Sequence, residues 1–232
     1  MSTGSTERIS LVVFDMAGTT VEDSGLVQQS FLAADRHAGL SKTDADRDEM
    51  LRYVSETMGQ SKITVFRHLA GGDEEQAQTA NKEFERCYAQ LVSEGNCSPI
   101  PGAEDVITSL RSSGVKTALT TGFAKETQSA IIDALGWQKL ADIVLCPGEG
   151  VRGRPYPDMP LTALLRTETD SVRSMIVVGD TSSDVISGLR AGALAAVGVL
   201  TGAHDTAALS GAGATHIIDS VAALPGLVES LG

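Results

Sequence analysis

Short apolar runs alternate with amphipathic stretches along most of this chain. The runs with the length and β-branched content of buried strands are "ISLVVFD", "VKTALTT", "ADIVLC", "SMIVVGD", "LAAVGVL" and the weaker "THIID". All but the first lie after residue 114. Helical spacing of apolar residues fills the intervals at 102–113, 124–136, 158–167 and 182–191. Continuous apolar strands separated by helices predict an α/β protein with a Rossmann-like, doubly wound parallel sheet covered on both faces. Sheets of this kind bind ligands at the carboxyl ends of their strands.

Residues 25–98 break the alternation. They are polar, carry no convincing strand, and show helical spacing in "DRDEMLRYVSETM" and "EEQAQTANKEFERCYAQLVSEG" before "SPIPG" turns the chain back. This pattern predicts a core formed by residues 8–24 and 99–232, with a helical cap at 25–98. An insert placed directly after the first strand end is positioned to close over a site there. A purely decorative helical subdomain is the alternative. The apolar positions of "LVQQSFLAADRHAGL" at 26–40 offer a contact between two copies, a homodimer through the cap. "DRDEM" and "EEQAQ" read as solvated helix faces.

Composition narrows the partners. The 232 residues suffice for one large domain or a domain with a smaller insert, and 42% hydrophobic with 21% charged residues is ordinary for a globular protein. The net charge of −12 argues against nucleic acid or an anionic membrane as the partner. An anionic small-molecule substrate would need a bound cation and a few placed basic groups. Cys87, Cys97 and Cys146 are odd in number and form no CxxC pair, which suits reduced thiols and a cytoplasmic location. No apolar run reaches membrane-spanning length. "MSTGSTERIS" has no signal-peptide core and reads as a short disordered lead-in. His37, His68, His204 and His216 show no metal-ligand spacing and receive no role.

Two apolar runs end in a carboxylate: "LVVF" in Asp15 and "MIVVG" in Asp180, with Asp184 following in "GDTSSD". In a parallel sheet both strand ends emerge at one edge. If Thr181 to Ser183 turn into a helix, Asp184 joins them there. Crowded carboxylates repel and rise in pKa unless a cation lies between them, and hard oxygen ligands at a phosphate-type site favour Mg²⁺. Thr120, Thr121 and Gly122 end another strand, where hydroxyl and backbone N–H groups can hold phosphate oxygens. Arg154, in the "GRPYP" loop, can pair with phosphate and hold Asp15.

In this order the residues resemble the haloacid dehalogenase superfamily, whose pattern is a strand-end nucleophilic Asp, a strand-end Thr or Ser, a basic residue and a "GDxxxD" acidic pair. The matching residues are Asp15, Thr121, Arg154 and Asp180 with Asp184, over residues 11 to about 202. Within the superfamily, "DMAGTT", the arginine of "GRPYP" and the cap segment "MGQSK" are similar to the phosphonatase (phosphonoacetaldehyde hydrolase) family. That resemblance implies Asp15 as nucleophile, Lys62 as a Schiff-base lysine, and Mg²⁺ held by Asp15, the Ala17 backbone carbonyl, Asp180 and Asp184. It also implies Gly18, Met58, Thr120, Thr121 and Gly122 as substrate or phosphate contacts. Val65, Phe123 and Gly25 stand where that family carries histidine, tyrosine and cysteine.

Ala17 occupies the position that holds a general-acid aspartate in most phosphatases of the superfamily. Expelling an alkoxide without a proton forfeits roughly a hundredfold or more in rate. Breaking a C–P bond expels a carbanion, whose charge a lysine imine can delocalise. The missing acid and the cap lysine therefore fit one reaction, hydrolysis of a small phosphonate through an aspartyl-phosphate. On a helix over 58–69, at about 100° per residue, Met58, Val65, Phe66 and Leu69 share a face with Lys62. Desolvation on that stripe would free the amine, and a snorkelling lysine is the structural alternative. Competing functional readings are a phosphate-monoester phosphatase, a 2-haloacid dehalogenase and a core retained for binding.

Overall fold

In a computed structural model, residues 8–23, 25–148 and 150–231 are described. Of the lead-in expected over residues 1–10, residues 1–7 lie outside them, whereas Ile9 is buried and Ser10 N–H donates to Ser174 O at 2.9 Å, so this end of it belongs to the core. Strands β1 (Leu11–Asp15), β2 (Lys116–Thr120), β3 (Ile143–Leu145), β4 (Met175–Gly179), β5 (Ala195–Val199) and β6 (His216–Ile218) coincide with the apolar runs. They form one parallel sheet in the order β3-β2-β1-β4-β5-β6. The chain winds outward from β1 in one direction and then, from β4, in the other. The crevice between β1 and β4 is the switch point where doubly wound sheets bind ligands.

Between the strands lie α5 (Ala103–Ser112), α6 (Lys125–Leu135), α7 (Asp158–Arg166) and α8 (Ser182–Ala191), followed by α9 (Thr206–Gly211) and α10 (Leu224–Leu231). Strand alternation divides the core. Val12 and Phe14 pack on one face with Ile107 and Ile131, whereas Leu11 and Val13 face Ala163 and Ala191 on the other.

The insert comprises α1 (Leu26–Ala38), α2 (Asp44–Glu56), α3 (Lys62–Leu69) and α4 (Glu74–Ser93). Its exit and return run side by side. Glu22 N–H donates to Ser98 O at 2.9 Å, and Ile100 N–H donates to Thr20 O at 2.9 Å. In α4 the buried residues Ala77, Ala80, Phe84, Tyr88 and Val92 form one stripe, against which α1 lays Leu26, Val27, Phe31 and Ala34. The apolar residues of 26–40 offered for a homodimer are thus largely consumed inside the protomer. The helix expected over 58–69 keeps its end but not its start: Gly59 has φ +83° and the helix begins at Lys62. A positive φ is not helical backbone, so Met58 belongs to the preceding turn.

No helix among the described residues is long and apolar enough to cross a membrane. Cys87 and Cys97 are free thiols, and burial pushes Cys97 up to about 11.

Candidate active site

Register builds the site. Asp15 pairs with Thr120 on β2 and Phe14 with Val178 on β4, so Asp15 and Asp180 emerge next to each other at the switch point. The tight turn after β1 needs Gly18, at φ +88°, because a Cβ there would meet Asp180 Oδ2 at 2.5 Å. Asp180 is fixed by Thr19 Oγ1 at 3.0 Å and by Ala203 N–H at 2.8 Å. Asp184 lies at the third position of α8 and completes a capping box. It accepts from Thr181 N–H at 3.1 Å, while Thr181 Oγ1 accepts from its own N–H at 3.3 Å.

Ligand oxygens of the buried Asp15, Asp180 and Asp184 lie within 4.8 Å of one another. Arg154, from the loop between β3 and α7, contacts Asp184 and lies 2.5 Å from Asp15 Oδ1. Burial would pull the guanidinium down, but Asp15 and Asp184 hold it above its ordinary value. Its Nε is buried without a partner among the described residues, leaving one donor for a ligand oxygen. Burial, then repulsion from Asp184 and Asp180, raises Asp15 despite Arg154. Burial and Asp184 push Asp180 up to about 6. Hard carboxylate oxygens in excess over a single guanidinium fit a divalent cation, and the donor set suits Mg²⁺.

A cavity of about 230 Å³ opens over this cluster. It brings together Asp15, Ala17, Gly18, Thr121, Gly122, Arg154 and Asp180 from the core with Met58 and Lys62 from the cap. Asp184, in contact with Arg154, is outside the lining. Thr120 is not brought in: its buried hydroxyl is used within the sheet, donating to Phe14 O at 3.0 Å. The cap turn presses on the core. Lys62 N–H donates to Gly122 O at 3.4 Å, and a Cβ at Gly122 would meet Gln60 O at 2.6 Å.

Lys62 is buried, with Nζ 5.2 Å from the Phe123 ring centroid and 5.9 Å from those of Phe31 and Phe84. No carboxylate among the described residues lies within ion-pair distance of it. Burial, then Arg154, lowers its pKa, and Asp23, Glu85 and Asp15 offset this in part. Val65 and Phe66 share its buried face, while Thr64, Arg67 and His68 are exposed, as the helical wheel predicts.

Two positions at the site escaped the sequence. Asp23 also lines the cavity. His204 joins core to cap: its Nδ1 accepts from Ser182 N–H at 2.9 Å, and its Nε2 lies 3.2 Å from Ser55 O on α2. Neither has a motif signal, since the fold alone brings their partners together.

A carboxylate-lined switch point roofed by a helical insert places the protein among the capped enzymes of the doubly wound α/β class. The chain belongs to the haloacid dehalogenase-like hydrolase family, whose pattern matches residues 9–192. It is 32% identical over 215 residues to a phosphonoacetaldehyde hydrolase of Bacillus cereus, covering 85% of this chain and 78% of that protein. It is 27% identical over 224 residues to the protein named probable phosphatase IndB of Dickeya dadantii, covering 95% of this chain and 94% of that one. Among solved structures it is similar to a phosphonoacetaldehyde hydrolase like protein from Oleispira antarctica, with TM-score 0.81 and 25% identity over 96% of this chain and 92% of that one.

Proposed function

We propose that this hydrolase cleaves the C–P bond of a small, phosphonoacetaldehyde-like phosphonate, with residues 25–98 acting as the cap. The observation that carries the reading is Lys62, buried without an ion-pair partner among the described residues, in the same cavity as Asp15 and Arg154. A lysine so desolvated is a nucleophilic amine, suited to an imine with the substrate carbonyl. The similarity to phosphonoacetaldehyde hydrolases supports the same chemistry.

Asp15 attacks phosphorus, and Arg154 orients it while offering its free Nε to a phosphoryl oxygen. Thr121 and Gly122 hold further phosphoryl oxygens. The C–P electron pair flows into the Lys62 imine, which becomes an enamine, and water then hydrolyses the aspartyl-phosphate. Asp15, the Ala17 carbonyl, Asp180 and Asp184 would hold Mg²⁺, which neutralises charge on the nucleophile and on the phosphoryl group. Met58 and Gly18 shape the cavity around the substrate.

A phosphate-monoester phosphatase is the second reading, favoured by the likeness to IndB across nearly the whole chain. The deciding experiment is incubation with Mg²⁺ and phosphonoacetaldehyde, borohydride reduction, and mass spectrometry for an adduct on Lys62, with phosphate assayed in parallel. An adduct with phosphate release is expected. Neither product, together with turnover of phosphate esters, selects the phosphatase.

A further inference from the structure

Imine formation at Lys62 requires a group that moves protons beside the amine. Amine and carbonyl first give a carbinolamine, whose hydroxyl leaves only when protonated. The groups nearest Lys62 are poorly equipped for this. Val65 and the rings of Phe31, Phe84 and Phe123 carry no exchangeable proton, and Asp15 is paired with Arg154. Glu85 approaches from α4, but it accepts from Ala124 N–H at 3.2 Å and lines an outer groove with Gln78 and Arg86 rather than the cavity. Tyr88, also on α4, has a buried hydroxyl without a partner among the described residues and lies outside the cavity lining.

Asp23 differs from all of these. It follows the β1 turn, precedes α1 and lines the cavity with Lys62. Its Oδ1 accepts from Val27 N–H at 3.2 Å, which fixes the carboxyl at the mouth of α1. It shows no ion pair with Lys62 among the described residues, although its charge is the strongest of those that favour the lysine cation. A carboxyl that lines the same cavity as the amine without forming an ion pair to it leaves room for a substrate carbonyl between them.

We propose that Asp23 is the proton-transfer residue of the Lys62 imine cycle, which makes it a catalytic residue within the phosphonate reading above. The Asp23 carboxylic acid gives its proton to the carbinolamine hydroxyl, the C–O bond breaks and water leaves. The nitrogen lone pair forms C=N⁺, and the Asp23 carboxylate remains beside the iminium as its counter-ion. After C–P cleavage the enamine carbon takes a proton from solvent water and the iminium re-forms; the Asp23 carboxylate then takes a proton from the water that adds to C=N⁺, which restores the carbinolamine. Burial raises the Asp23 carboxyl above its ordinary value, which moves the acid form toward working pH.

The competing role is capping of α1 alone. Asp23→Asn keeps an acceptor for Val27 N–H but cannot transfer a proton, and Asp23→Glu keeps the acid. The wild type and both variants are mixed with phosphonoacetaldehyde, and the rate of borohydride-trapped adduct on Lys62 is followed against pH, alongside thermal melting. Asp23→Asn is expected to slow trapping by about a hundredfold and flatten its pH profile. Asp23→Glu should restore most of the rate, and both variants should melt with the wild type. Wild-type trapping in Asp23→Asn overturns the role of Asp23 while leaving the imine intact. Loss of rate and melting temperature together in both variants overturns it equally, in favour of capping. Absence of an adduct in the wild type overturns the imine reading itself, and the role of Asp23 with it.

Discussion

At the sheet edge, buried Arg154 contacts both buried Asp15 and buried Asp184, whereas in the cap Lys62 is equally buried and faces the rings of Phe31, Phe84 and Phe123. Burial disfavours charge in both places, and the two regions respond differently. Arg154 keeps its charge because two carboxylates accept it. Lys62 has only distant carboxylates, so desolvation dominates and its pKa falls. One region pairs its buried charges, and the other disfavours the charge on its amine. The phosphonate reading proposed above calls for both environments within one cavity.

The largest effect should come from the charged side. Asp15→Asn removes the carboxylate proposed as nucleophile and should lower turnover by at least about 10⁴-fold on any substrate, measured as phosphate release. Residual turnover within tenfold of wild type would assign the nucleophile elsewhere. The cap side should be substrate-selective. Lys62→Arg keeps a cation but cannot form an imine, so C–P cleavage should fall by about 10³-fold or more while hydrolysis of an activated phosphate ester persists. Equal loss on both substrates would place Lys62 in binding rather than chemistry.

Stability against pH separates the two regions further. Asp180 is raised from 3.8 to about 6, so the metal-free folded chain holds a proton that the unfolded chain has released. Its contribution to stability is present below about pH 4 and is lost as pH rises through about 6. Melting of chelator-treated protein should therefore drop across that window. Mg²⁺ at about a hundred times its Kd should recover about 2.7 kcal/mol at neutral pH, about 5–10 °C for a chain of this size. A flat profile, or no response to Mg²⁺, would mean that the carboxylates are already neutralised by Arg154.

The smallest effect concerns the seam between the regions. Nδ1 of His204 accepts from Ser182 N–H, so its Nε2 carries the hydrogen donated to Ser55 O on the cap. His204→Ala removes that link, about 1 kcal/mol, and should raise KM about fivefold with kcat little changed. Unaltered KM would show that the packing of Gly59 and Gly122 alone holds the cap in place.

Much of this is legible in the sequence. Each strand run, the alternation with helices and the carboxylates at two strand ends are local patterns, because side-chain burial in a parallel sheet imposes continuous apolar runs. Lys62 could be placed on the buried face of its helix because Val65, Phe66 and Leu69 report that face by spacing alone. The helix start could not be read, since it depends on Gly59 adopting a positive φ against Thr181, a residue of the core. Thr120 and Thr121 are equivalent as sequence. Only their places in the ladder turn one hydroxyl into the sheet and leave the other residue in the cavity.

The sequence by itself determined the fold class, the insert and the chemical character of the site, since these rest on residue type and short-range period. Tertiary structure alone decided which strands are neighbours, and hence that Asp15 meets Asp180. It also decided that Arg154 reaches both Asp15 and Asp184, and that Asp23 and Lys62 face one cavity. Those are contacts between residues far apart in the chain, set by strand order and helix packing, for which no local pattern carries a signal.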